Sequence, residues 1–128
     1  MVEKQKKIRV LHVDDEQDTL VVVKKILEME GYEVVSVNRA DEALENISHN
    51  GFNLIILDIM MPDMSGWELF TKIGKIKPDY KVIFLSILEL SSEKKSELTA
   101  AGVVDYIIKP FNHADFVSRV KIVINSKK

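Results

Sequence analysis

Five residues that could do chemistry stand where short apolar runs stop. Asp14 and Asp15 follow Ile8–Val13, Asp58 follows Leu54–Leu57, Ser86 follows Val82–Leu85, and Lys109, itself followed by Pro110, follows Tyr106–Ile108. Three carboxylates gathered in one place repel each other and raise one another's pKa unless a cation intervenes. Oxygen ligands with no His or Cys beside them select a hard divalent ion, and Mg²⁺ is the abundant candidate. Mg²⁺ keeps waters and takes phosphate oxygens as further ligands, so Lys109 would add a point charge to a bound phosphate and Ser86 a hydrogen bond. An Asp in such a setting is a competent nucleophile that forms an aspartyl phosphate.

These side chains meet only if the runs before them lie side by side with their ends at one edge. The five apolar segments, Ile8–Val13, Glu33–Val37, Leu54–Leu57, Val82–Leu85 and Tyr106–Ile108, start 25, 21, 28 and 24 residues apart. That spacing is too long for hairpins and suits a helix between each pair of strands. Three runs are continuously apolar, as strands buried on both faces of a parallel sheet are. Between them, Leu20, Val22, Val23, Ile26, Leu27 and Met29 make a broad stripe at helical period, stopped by Gly31. Ala43, Leu44 and Ile47 make a second, ended near Gly51, and Trp67, Phe70 and Ile73 mark a third. The fourth, Ser92–Ala101, has almost no apolar residues beyond Leu98, Ala100 and Ala101. The fifth, about Ala114–Asn125, has Asn112 as N-cap and turns Phe116, Val117, Val120 and Val123 inward. Alternating strands and helices imply a three-layer α/β fold with right-handed crossovers, which binds ligands beyond the carboxyl ends of its strands.

A length of 128 residues predicts one domain. Apolar residues at 46% and charged residues at 30% exclude a disordered or low-complexity chain. No uninterrupted apolar run exceeds four residues, far short of the roughly 18 a membrane span needs. No signal peptide is visible in the charged start, Met1–Lys7, and a cytoplasmic location is expected. Zero cysteines remove disulfides and thiolate chemistry, and a net charge of −2 gives no global pull toward nucleic acid or anionic lipid. The basic clusters at Lys4, Lys6, Lys7 and Arg9 and at Lys127 and Lys128 read as solvated termini.

Taken in order, VDDE (Val13–Glu16), LDIMMPDMSG (Leu57–Gly66), FLS (Phe84–Ser86) and AGVVDYIIKPF (Ala101–Phe111) form a specific set. The chain resembles a response-regulator receiver domain of two-component signalling, of the CheY-like superfamily, over essentially all of residues 8–124. The resemblance implies a flavodoxin-like five-stranded parallel sheet of order 2-1-3-4-5, in a single receiver domain (1–128, core about 8–124) without an effector domain. It implies that Asp58 accepts a phosphoryl group from a histidine kinase or a phosphotransfer protein. Mg²⁺, or Mn²⁺ as a substitute, would be held by Asp15 and Asp58, by Asp14 through a water, and by the Met60 backbone carbonyl. Lys109 would contact the phosphoryl group or, in its absence, a carboxylate, and the Lys109–Pro110 bond would be cis. Ser86 and Tyr106 would be the switch: Ser86 is drawn to the phosphoryl group and Tyr106 turns inward. That remodels the face of the fourth helix, fifth strand and fifth helix, where a downstream protein target binds and where a homodimer is one implied arrangement. Catalysis would be limited to Mg²⁺-dependent self-phosphorylation and autodephosphorylation, with no nucleic acid and no membrane as partner.

Ile87 and Val103 depart from the family pattern, which commonly has alanine at both positions. Beside the phosphoryl pocket, the branched Ile87 side chain is expected to narrow access and lengthen the phosphoryl lifetime. His12 reads as a packed, hydrogen-bonded core histidine, and His49 and His113 form no metal set. Met60, Met61 and Met64 read as loop packing, and Trp67 as edge packing near the Asp58 loop. The competing readings are a phosphorylation-independent pseudo-receiver, a haloacid-dehalogenase-type phosphatase and a flavodoxin. The phosphatase needs a second Asp where Met60 stands, and the flavodoxin needs a Ser/Thr/Gly-rich loop where Asp14 and Asp15 stand.

Overall fold

The two runs that carry no polar residue until their ends, Leu54–Leu57 and Val82–Ser86, are buried along their whole length in the computed structural model, which describes residues 7–126. They form β3 and β4 of a parallel sheet whose order is β2-β1-β3-β4-β5, with β1 at Arg9–Val13, β2 at Glu33–Val37 and β5 at Asp105–Ile108. Burial on both faces explains why β1, β3 and β4 do not alternate, whereas the edge strands β2 and β5 keep partly exposed positions. The expected three-layer architecture and strand order are both present. Lys4, Lys6, Lys127 and Lys128 lie outside the described residues.

Five helices fill the crossovers: α1 (Gln17–Met29), α2 (Ala40–His49), α3 (Gly66–Ile76), α4 (Ser92–Ala101) and α5 (His113–Asn125). One face of the sheet packs Val10, Leu54, Ile56, Ile83 and Leu85 against Val23 and Leu27 of α1 and Phe116 and Val120 of α5. The other packs Leu11, Val13, Leu57 and Phe84 against Ala43 and Ile47 of α2 and Leu69 and Ile73 of α3. No helix among the described residues is long and apolar enough to cross a membrane.

Two helical stripes are narrower than the sequence implied. On α1, Val22 and Met29 are exposed, because Leu20, Val23, Ile26 and Leu27 already fill the seam. On α3 the inward residues are Leu69 and Ile73, while Trp67 is 43% exposed and tilts against Phe70 at 5.6 Å between ring centroids. Asn112 caps α5 as expected, its Oδ1 accepting from the Asp115 N–H at 2.9 Å. The feebly patterned α4 buries none of its residues and is held by a Ser91 cap at one end and Gly102 at the other, where φ is 108°. Val103 is a core residue at the amino end of β5, opposite the edge that carries Asp58.

Candidate functional site

The sheet ladder carries two acidic residues one step past its strands. The Asp14 N–H donates to Val37 O at 3.2 Å and the Asp58 N–H to Val13 O at 3.0 Å, so β1 and β3 deliver both carboxylates to the same edge. Asp14 and Asp58 are buried and Asp15 is exposed. Each of the three presents an oxygen such that all lie within 4.8 Å of one another. The Met60 N–H donates to Asp58 Oδ1 at 3.3 Å, so the loop after β3 folds back over the carboxylate. Gly66 permits that fold, because a Cβ there would stand 2.1 Å from the Asp58 carbonyl oxygen. The role of Gly66 is invisible in the sequence, where it stands only as the last residue of the LDIMMPDMSG motif.

Lys109 crosses to these carboxylates from the end of β5. Its ammonium is 3.1 Å from Asp14 Oδ2, 3.4 Å from Glu16 Oε1 and 3.9 Å from Asp58 Oδ2, and the side chain is only 10% exposed. The expectation that Lys109 contacts a carboxylate is met, and the Lys109–Pro110 bond is cis. Glu16 was not foreseen as a partner. It is an exposed residue whose carboxylate also accepts from the Thr19 hydroxyl.

Charge and burial set the two buried carboxylates apart. Burial, and then the negative charge of Asp14, push Asp58 up to about 6, against the opposing pull of Lys109 and the Met60 N–H. Burial also acts to raise Asp14, but His12, the Glu16 N–H and Lys109 outweigh it and hold Asp14 below the usual carboxylate range. Burial would lower Lys109; its three carboxylate neighbours instead hold it above its ordinary value. His12 corrects an expectation: it is wholly buried, yet neither ring nitrogen has a hydrogen-bond partner. Its Nε2 lies 3.7 Å from Asp14 Oδ2, beyond hydrogen-bond length, so its pull on Asp14 is that of a nearby donor, not a formed bond.

Ser86 and Tyr106 are joined through one backbone unit. The Leu88 N–H donates to Ser86 Oγ at 3.3 Å, and the Tyr106 hydroxyl donates to the Leu88 carbonyl. Tyr106 is thus partly buried against the core and already seated on the β4–α4 loop, where an inward turn was expected to follow phosphorylation. Sequence reasoning missed Leu88 because its link runs through the main chain. Arg119 of α5 braces the same strand, donating to both oxygens of Asp105 at 2.9 and 2.6 Å and to the Tyr106 carbonyl at 3.1 Å.

Ile87 is 65% exposed. It borders a largely apolar hollow of about 410 Å³ that it shares with Val22, Lys109, Pro110 and Phe111. Met61 and Met64 pack against the core as loop packing requires, whereas Met60 is half exposed and departs from that reading.

The donor set fits a hard cation: three carboxylate oxygens converge, the nearby His12 imidazole is not among the converging ligands, and Lys109 alone offsets their charge among the described residues.

A family model described as the response regulator receiver domain matches residues 10–121. The chain is 37% identical over 113 residues to the transcriptional regulatory protein YvrH of Bacillus subtilis, covering 88% of this chain and 47% of that protein. It is 33% identical to the transcriptional regulatory protein PcoR of Escherichia coli, covering 91% of this chain and 51% of the relative. The chain thus spans about half the length of the curated relatives it matches. Among solved structures, a CheY-like receiver domain protein of Methanospirillum hungatei is similar with a TM-score of 0.85 at 38% identity, covering 94% of this chain and 95% of that one. The response regulator TrrA of Thermotoga maritima, solved in complex with Mg²⁺ and a beryllium fluoride, is similar with a TM-score of 0.79 at 35% identity, covering 91% and 98%.

Proposed function

The chain belongs to the response regulator receiver domain family, and from that premise we propose that Asp58 is the phosphoacceptor of a two-component relay in which this chain is the receiver. The single observation that carries the reading is the convergence of Asp14, Asp15, Asp58 and Lys109 at one sheet edge. Ser86 stands buried at the end of the adjoining strand. The donor is the phosphohistidine of a sensor kinase or phosphotransfer protein, or a small acyl phosphate.

An oxygen of Asp58 attacks phosphorus in line; its bond to phosphorus forms as the donor's bond to phosphorus breaks, and the electron pair leaves with the donor. Lys109 sits within reach of both Asp14 and Asp58 and offsets charge on the transferred group. Asp15 and Asp58, Asp14 through a water, and the Met60 carbonyl would hold Mg²⁺, or Mn²⁺ in its place. When bound, that ion supplies charge neutralisation at the phosphoryl oxygens. TrrA, solved with Mg²⁺ and beryllium fluoride, supports that assignment by similarity.

The transferred group carries nearly two negative charges and draws the Ser86 hydroxyl. Because Leu88 bonds to both Ser86 and Tyr106, this movement reaches Tyr106 through the main chain. Tyr106 already occupies its inward seat, so phosphorylation would hold that seat instead of creating it. The face of α4, β5 and α5, whose α4 is anchored by no buried residue, would then bind a downstream protein or a second copy of the chain. The receiver unit, about residues 8–124, acts in the cytoplasm, and its output passes through such a partner or an attached domain. A phosphorylation-independent module has no observation in its favour.

The test is intact mass after incubation with acetyl phosphate, with and without Mg²⁺. One added phosphoryl group, lost in Asp58→Asn and without Mg²⁺, is the expected result. No addition to the wild-type chain by either acetyl phosphate or a phosphorylated kinase would overturn the reading.

A further inference from the structure

His12 lies on β1 two residues before Asp14, wholly buried. Neither of its ring nitrogens has a hydrogen-bond partner, and neither does the buried Oγ of Ser36, its register partner on β2. Register partners in parallel strands share a face, so these unsatisfied groups stand side by side in the layer that α1 covers. Buried polar atoms are nearly always paired, since leaving them unpaired costs stability. An apolar residue at position 12 would avoid that cost, as Val10, Leu11 and Val13 do on the same strand. What an apolar residue would lack is a donor near Asp14.

Asp14 Oδ1 accepts from the Glu16 N–H at 2.9 Å, and Oδ2 is taken by Lys109 at 3.1 Å. His12 Nε2 stands behind, 3.7 Å from that same Oδ2, with both side chains fully buried. The Lys109 ammonium is 3.9 Å from Asp58 Oδ2, so a phosphoryl group on Asp58 draws it away from Asp14. Asp14 Oδ2 would then be a buried, charged acceptor without its strongest donor.

We propose that His12 is a positioning residue for Asp14, a donor held in reserve that closes onto Oδ2 when Lys109 transfers to the phosphoryl group. The inference rests on the reading of Asp58 as phosphoacceptor. A shortening of about 1 Å brings Nε2 to hydrogen-bond length. In its neutral form the wholly buried imidazole has one ring nitrogen donating and the other accepting. The proposal places the proton on Nε2 and leaves Nδ1 as the acceptor, unpaired in this structure like the Oγ of its register partner Ser36. His12 thereby lowers the cost of moving Lys109 and stabilises the phosphorylated arrangement without touching the phosphoryl group.

The test titrates beryllofluoride, a phosphoryl mimic, into the Mg²⁺-loaded chain and into His12→Leu and His12→Gln. His12→Leu is expected to bind the mimic about tenfold more weakly, the scale of one hydrogen bond to a charged group. His12→Gln, whose amide restores an N–H, should recover most of the loss. Affinity for Mg²⁺ alone should change little in either variant, because Lys109 then still holds Asp14. In the wild-type chain, the Nε2–H proton resonance should move downfield when beryllofluoride is added, a readout that does not depend on either variant folding. Undiminished binding by His12→Leu, failure of His12→Gln to recover it, or an unmoved Nε2–H resonance would overturn the proposal. If the wild-type chain itself binds no beryllofluoride, the Asp58 reading falls and this inference falls with it.

Discussion

Lys109, at the end of β5, reaches past two intervening strands to Asp14, at the end of β1, and places its ammonium 3.1 Å from Oδ2. The pair joins an edge strand to the second strand of the sheet and supplies the only cation within reach of the acidic cluster among the described residues. Removing the cation leaves a buried carboxylate uncompensated. Lys109→Met is therefore expected to lower stability by about 2 to 4 kcal/mol in metal-free buffer, with part of the loss restored by millimolar Mg²⁺. Urea unfolding with and without the metal measures both. Unchanged stability would mean that water already satisfies Asp14.

Asp58 makes the opposite contribution. Its carboxyl is raised to about 6 in the folded chain from an ordinary 3.8, so the native state holds a proton that the unfolded state releases between those values. Stability should fall as pH rises through that window, and the full cost should be present above it. In metal-free buffer at pH 7, Asp58→Asn should gain about 1 to 3 kcal/mol, and the gain should fade below about pH 4. Paired thermal or urea unfolding across this range tests it. A gain independent of pH would show that it comes from packing and not from charge.

Tyr106→Phe removes the hydroxyl that donates to the Leu88 carbonyl. The expected loss in global stability is about 1 kcal/mol. The larger effect should be local: faster amide exchange over residues 87–91 and α4, which has no buried residue to anchor it. Exchange unchanged in that segment would separate Tyr106 from the loop.

Ile87 borders the hollow beside Lys109 while keeping most of its surface in solvent. Ile87→Ala should shorten the phosphoryl lifetime on Asp58 by a few-fold, not by orders of magnitude, as measured by the decay of the phosphorylated mass. An unchanged rate would remove Ile87 from the control of access.

The sequence carries the strands and their ends clearly, because the apolar runs stop abruptly at Asp14, Asp58 and Lys109 and the spacing between them admits only crossovers. It carries helical faces less well: Val22 and Trp67 look inward by period but lie outside a seam that Leu20, Val23, Leu69 and Ile73 already fill. The convergence of Asp14, Asp58 and Lys109 follows from strand order, and the resemblance supplied that order. Backbone-mediated links stayed hidden, since Leu88 joins Ser86 to Tyr106 through groups that every residue possesses. In the sequence His12 reads as a hydrogen-bonded core residue because burial normally enforces pairing, and its orphaned ring emerges only in three dimensions. Gly66 likewise shows its reason only in three dimensions, where a Cβ would collide with the Asp58 carbonyl.

The central claim is that Asp58, and no other carboxylate of the cluster, takes the phosphoryl group. Reducing the acetyl-phosphate-treated chain with borohydride converts an aspartyl phosphate to homoserine, and peptide mass mapping then locates it. The account predicts homoserine at position 58 alone, dependent on Mg²⁺. Homoserine at Asp14 or Asp15, or a stable phosphoryl group on any other residue, would contradict it.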